Sequence, residues 1–154
     1  MKAPAEQHRS DVIRSILTIV AIVATFAINA WSNIAPLNGL SIGAIANTLF
    51  QNVLIIPANY AFAIWGVIYL GLIAFGFYQF QPPQRANPTL RRVDWLLIGS
   101  CLVQAIWVLL FLARQFWLST VAMIGILLFL IAIYRQLWQA ATSPIPARVT
   151  RQDR

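Results

Sequence analysis

Apolar residues crowd into four windows of the chain, Val12 to Trp31, Pro57 to Phe80, Trp95 to Ala113 and Phe116 to Trp138. Each approaches or exceeds the roughly 20 residues that a helix needs to cross a hydrocarbon layer about 30 Å thick. Helices are the expected form, because a helix satisfies its own backbone hydrogen bonds in lipid, whereas four strands cannot close a barrel. The window edges agree. Pro57 opens the second, Pro82 and Pro83 follow it, and Asp94 precedes the third, where the helix dipole favours a negative charge. Trp31, Trp95, Trp117 and Trp138 stand at window edges, as in an aromatic interfacial belt.

The connection from Ser32 to Ile56 is uncharged and too apolar for a plain solvated loop. Ile42, Ile45, Leu49 and Val53 recur at helical spacing, with Asn47, Thr48, Gln51 and Asn52 on the other side. This pattern predicts a short interfacial helix, either capping the bundle or lying as a linker on the bilayer surface. The expected fold class is therefore all-α, a polytopic membrane bundle of four transmembrane helices with a short interfacial helix between the first and second. A polar N-terminal tail (1–11), the bundle (12–139) and a basic C-terminal tail (140–154) follow as the domain organisation.

Polar positions pick out the inward faces. Ser15, Thr18, Thr25, Asn29 and Ser32 form one stripe on the first span, which should face other helices because lipid offers polar side chains no partner. The second span places Ala58, Phe62, Trp65, Gly66, Tyr69, Ile73 and Gly76 on one face, with Tyr60 elsewhere. The third aligns Ser100, Gln104, Trp107 and Phe111. The fourth is aliphatic, with Gly125 its one small contact point. Faces that carry hydroxyl, amide and aromatic groups without formal charge suit a flat, largely apolar ligand with a few polar atoms. They equally suit ordinary bundle packing, and spacing alone does not separate the two.

Composition supports the membrane assignment. The chain of 154 residues is 60% hydrophobic and 10% charged, with a mean hydropathy of +0.72. No Asp, Glu, Lys or Arg occurs between Arg14 and Arg85, a gap that a small water-soluble core could not hide. The net charge of +7 lies in arginine clusters between apolar runs, so nucleic acid is not an expected partner. Of the 11 cationic residues only Arg114 falls on one side of the four spans, and the other ten fall on the opposite side. That asymmetry predicts both termini in the cytoplasm. Ile28 and Asn29 before Ala30 make a poor cleavage site, so the first span reads as retained. Cys101, the only cysteine, reads as a small packing residue.

Two stretches resemble the TspO/MBR family, the tryptophan-rich sensory proteins related to the translocator protein or peripheral benzodiazepine receptor. Pro57, Tyr60, Phe62, Trp65 and Tyr69 are similar to the family's proline, aromatic-x-Phe pair, Trp and later Tyr; Gln104, Trp107 and Phe111 are similar to its amide, Trp and Phe. NGLSIG and IPANYAFAIWGVIYLGL look closest to a divergent bacterial branch. Phe62 and Trp65 are three apart where better-studied members have four, and Tyr60 stands where they have Trp. Four spans fall short of the family's five or more, so the resemblance implies a bundle lacking its C-terminal helix or helices, as a truncated member or one completed by a partner.

What the resemblance implies is a multi-pass sensory or ligand-binding protein of a bacterial cell membrane, taking a porphyrin or other tetrapyrrole, or a sterol-like molecule, among its helices. Phe62, Trp65, Tyr69, Trp107 and Phe111 would enclose the ring, and Gln104 would hydrogen-bond it. Expected partners are the bilayer, that ligand and a second copy of the chain; no cofactor, metal or catalytic residue is expected. An enzyme would need a nucleophile–base set, paired carboxylates or a metal cluster, and none is evident in the sequence. Ion-coupled transport would need an intramembrane ionisable group, and Asp94 and Arg114 read as span ends with His8 in the solvated tail. A small structural or assembly subunit, or a facilitator of neutral substrate passage, are the alternatives.

Overall fold

The computed structural model of the chain describes residues 4–55 and 58–142, apart from the side chains of Pro4, Asn59 and Phe62. Pro57, the predicted opener of the second span, and the basic tail past Thr142 lie outside the described residues. Six helices follow in order: α1 (Pro4–Ile34), α2 (Ile42–Leu49), α3 (Ile64–Phe80), α4 (Pro82–Arg85), α5 (Pro88–Leu112) and α6 (Phe116–Thr142), with a 3₁₀ turn at Asn59–Ala63 leading into α3. Among the described residues there is no strand, so the architecture is an all-α membrane bundle. By length and apolarity α1, α5 and α6 can each cross a membrane, and α3 is a shorter apolar helix.

Helix boundaries run past the apolar windows because capping and polar turns extend them. α1 begins eight residues before Val12, with Pro4 at its start and Glu6 in its first turn, where the free N–H groups favour a negative charge. α5 begins at Pro88 rather than Trp95, because Asn87 caps it by accepting from Thr89 N at 2.9 Å. The second span is corrected in the other direction. Its helix starts at Ile64, not Pro57, and has 17 residues, about 25 Å at 1.5 Å per residue. The preceding 3₁₀ turn lengthens that element by about 10 Å.

The helices run alternately up and down. Arg14 near the start of α1 bonds the Arg85 carbonyl at 2.7 Å and Asp94 at 2.8 Å, so the chain that leaves α1 at Ile34 returns to the same end before α5 begins. Asn38, in the loop after α1, donates to the Leu112 carbonyl at 2.9 Å and so lies at the far end of α5. α6 then brings the chain back, with Gln136 and Gln139 beside Pro88. α5 is central, packing on α1 and α6, and α3 lies against α1. The α5–α6 turn places Arg114 in the left-handed region (φ 60°), and Gln115 N bonds the Leu110 carbonyl at 2.9 Å, closing the helix end in a Schellman arrangement.

The polar stripe of α1 faces inward as its period implies: Ser15, Thr18, Thr25, Asn29 and Ser32 are all buried. Thr25 Oγ1 donates to Ala21 O and across the helix pair to Cys101 O, at 2.8 and 3.1 Å. Cys101 packs with Ile22 and Leu97. On α3 the inward face is Trp65, Tyr69, Leu72, Gly76 and Gln79; Gly66 and Ile73, expected there, are exposed. The later start of α3 is the reason, since a face drawn from Ala58 onward drifts away from the stripe that meets α1.

At Gly99 the α6 ring of Phe129 comes so close that a Cβ would sit 2.7 Å from it. Gly99→Leu is expected to destabilise the α5–α6 pair by about 1–3 kcal/mol through overpacking. Thermal unfolding in detergent measures this, and an unchanged midpoint would show that the two helices do not depend on that approach.

Candidate ligand-binding site

α3 and α5 bring a row of rings together. Trp65, in the first turn of α3, stacks on Trp107 of α5 with centroids 6.2 Å apart and planes 27° apart. Tyr69 lies one turn along from Trp65 at 6.4 Å, and Phe111 one turn along from Trp107 at 5.5 Å. Phe26 meets Tyr69 edge-on at 5.1 Å, and Phe116 meets Phe111 at 5.5 Å. These separations fall in the attractive range for aromatic pairs. They also leave no room for a flat guest between Trp65 and Trp107. The Phe62 side chain lies outside the described residues; its backbone belongs to the 3₁₀ turn before α3.

α2 closes the end of this row. Its N-cap Ser41 accepts from Ala44 N, and Ile42 and Ile45 bury against Trp107, Val108 and Leu112. The helix therefore caps the bundle, while Leu49 and Val53, expected on the same apolar side, are exposed. Beside the cap a cavity of about 490 Å³ opens between Asn29 and Asn33 of α1, Ser41 and Asn47 of the α2 segment, and the Trp65 ring. That volume lies within the range of small-molecule sites.

Three buried polar atoms on the same inward faces have no hydrogen-bond partner: Tyr69 Oη, Gln104 Nε2 and Trp107 Nε1. A buried donor left unpaired costs about 1–3 kcal/mol, so each marks a place where water or another acceptor completes the bonding. Rings supply dispersion and stacking, and the unpaired groups supply direction.

A family model described as TSPO-like protein matches residues 15–150, which includes every helix that frames these rings. The chain belongs to the TSPO-like family. Searches of curated proteins and of solved structures returned no match. Membership accounts for the multi-pass helical membrane architecture of this TSPO-like protein and agrees with the resemblance carried by its second and third spans.

Sequence patterning placed Trp65, Tyr69, Trp107 and Phe111 of the ring row on inward faces and found Asn29 through the α1 stripe, but did not pick out Phe26, Phe116, Asn33, Ser41 or Asn47 as part of the site. Asn33, Ser41 and Asn47 lie in and around a loop whose fold-back depends on tertiary contacts such as Asn38 to Leu112. At the other end of the TSPO-like bundle, patterning treated Arg14, Arg91 and Asp94 as charges at span ends. Here the structure corrects it. Arg14 and Asp94 are 4% and 1% exposed, and Arg14 Nε donates to Asp94 Oδ2 at 2.8 Å. Arg14 Nη1 and Arg91 Nη2 each reach Asp11 at 2.5 Å. With its amide nitrogen turned to the carboxylate, Gln79 of α3 donates to both Asp94 oxygens, 3.0 Å from Oδ2. Asp94 sits in the second turn of α5, because that helix begins at Pro88, so Arg14 and Gln79 rather than the helix end stabilise its charge.

Proposed function

We propose that this TSPO-like membrane protein binds a flat, largely apolar ring system, a porphyrin or related tetrapyrrole, against the outer face of Trp65. Its polar edge would enter the cavity among Asn29, Asn33, Ser41 and Asn47. The observation that carries the reading is a cavity of about 490 Å³ walled by the Trp65 ring together with Asn29, Asn33, Ser41 and Asn47, at the end of a continuous ring row. Because Trp65 and Trp107 already stack on each other, the guest lies on the row, not within it. Phe111 backs Trp107, and Asn29, Asn33 and Ser41 line the cavity that takes the guest's polar edge.

The reading is one of binding rather than turnover: rings, amides and hydroxyls hold and orient a guest and are poor at exchanging its protons at neutral pH. The positive-inside asymmetry supports a cytoplasmic position for the cation-rich end, with Arg14, Arg85, Arg91 and Arg92, and both ends of the described chain lie on it. A small assembly subunit is the second reading, and the direct Trp65–Trp107 stack, which packs α3 on α5 without any guest, favours it.

Titrating the purified protein in detergent with protoporphyrin should quench tryptophan fluorescence saturably at a single stoichiometric site. Asn33→Ala, which removes a polar group from the cavity wall, should weaken that binding by about 3–10-fold. Linear quenching that matches a membrane protein of unrelated fold would remove the ligand reading and leave the assembly subunit.

A further inference from the structure

At the opposite end from the ring row, α1 and α5 border a cleft of about 660 Å³. Gln7 and Ser10 of α1 form one wall, and Arg91, Arg92 and Trp95 of α5 the other, above the buried Asp11 and Arg14. We propose that this cleft binds the phosphate of an anionic lipid headgroup, with Arg92 as the cation that recognises it.

Charge accounting leads there. The lining holds three arginines and one aspartate, an excess of two positive charges, and Asp94 behind Arg14 cancels one of them. The ion pairs decide which arginine is left over. Arg14 spends its donors on Asp94, Asp11 and the Arg85 carbonyl. Arg91 is held by Asp11 and, with the Gln7 amide oxygen turned toward it, by Gln7 at 2.7 Å; its Nε is buried without a partner. Arg92 is exposed and makes no ion pair among the described residues. Two acids thus fix two arginines as a rigid, neutral floor, and the remaining charge stands free at the rim.

Position supplies the second part of the argument. Immediately beyond Arg14 and Trp95 both helices become apolar, so the cleft lies where hydrocarbon gives way to headgroups. Trp95, 58% exposed, is placed as an interfacial ring. A basic pocket between helices at this depth faces headgroup phosphates at a high local concentration, and each arginine near an anionic surface contributes about a fivefold preference. Ser10 and the Trp95 indole can add hydrogen bonds to the same phosphate.

The test uses the full chain in phosphatidylcholine vesicles doped with spin-labelled phosphatidylglycerol or spin-labelled phosphatidylcholine, comparing the motionally restricted fraction of each. The unmodified protein should favour the anionic label about fivefold, and Arg92→Gln should bring the ratio close to one. Arg9→Gln, an exposed cation on α1 outside the cleft, should leave the ratio high. Equal restriction of both labels by the unmodified protein overturns the site. So does an equal loss in Arg9→Gln, which would make the preference a general surface charge effect. Displacement of the anionic label by millimolar inorganic phosphate, with chloride at the same ionic strength inactive, would assign the cleft to a soluble anion and overturn the lipid assignment.

Discussion

Asp94→Leu is expected to destabilise the bundle by about 3–5 kcal/mol, the range for breaking a buried ion pair by removing one partner. The pair joins α1 to α5 at a point where both side chains are almost fully covered, and Gln79 ties α3 to the same carboxylate. Arg14 would keep Asp11 and the Arg85 carbonyl, but a cluster of two arginines and two aspartates would become one of two arginines and one aspartate. The lower end of the range is the better expectation, since Asp11 can share its charge between Arg14 and Arg91. Adding Arg14→Met should recover most of the loss, because apolar replacement of both members of a buried pair is often close to neutral. Asp94→Asn should fall between, as its amide oxygen still accepts from Arg14. Unfolding midpoints in detergent for Asp94→Leu, Arg14→Met and the variant carrying both give the coupling directly. A loss below about 1 kcal/mol for Asp94→Leu would mean that water reaches the cluster and screens it.

The ion cluster also shows where reading the chain as a pattern stops. Hydropathy windows located α1, α3, α5 and α6 because each must match a slab of fixed thickness, a constraint written locally into the sequence. The period of Ser15, Thr18, Thr25, Asn29 and Ser32 located the inward face of α1 for a similar reason: polar groups in lipid have one acceptable direction. Arg14, Arg91 and Asp94 obey a different rule. Their burial depends on residues about 80 positions apart meeting, and a charge at a window edge looks the same whether it is solvated or paired. The charge asymmetry treats all ten cations as topology signals, yet two of them, Arg14 and Arg91, hold helices together. The same limit applies to Asn33, Ser41 and Asn47, whose convergence depends on the fold-back of α2, and to α3, whose helical start at Ile64 follows a 3₁₀ turn that apolarity alone does not distinguish from helix.

Replacing Trp65 and Trp107 together with leucine is expected to abolish tetrapyrrole binding while insertion into the membrane persists. The two positions differ in what each isolates. Trp107 is 7% exposed and packs with Ile42, Ile45, Val108 and Leu112, so Trp107→Leu alone removes core volume under the α2 cap and should lower stability by about 2–3 kcal/mol. Trp65 borders the cavity, and part of its surface is open to it. Trp65→Leu should therefore change stability little and weaken binding by about 30-fold or more, the effect of losing an aromatic anchor of at least 2 kcal/mol. That contrast separates a site from a packing seam. A ring row that serves only to join α3 to α5 predicts the reverse order, with stability falling in both variants and any residual porphyrin quenching unchanged in Trp65→Leu. Fluorescence titration of the Trp65 variant, set beside its unfolding midpoint, distinguishes the outcomes because Trp65 both stacks on Trp107 and faces the cavity.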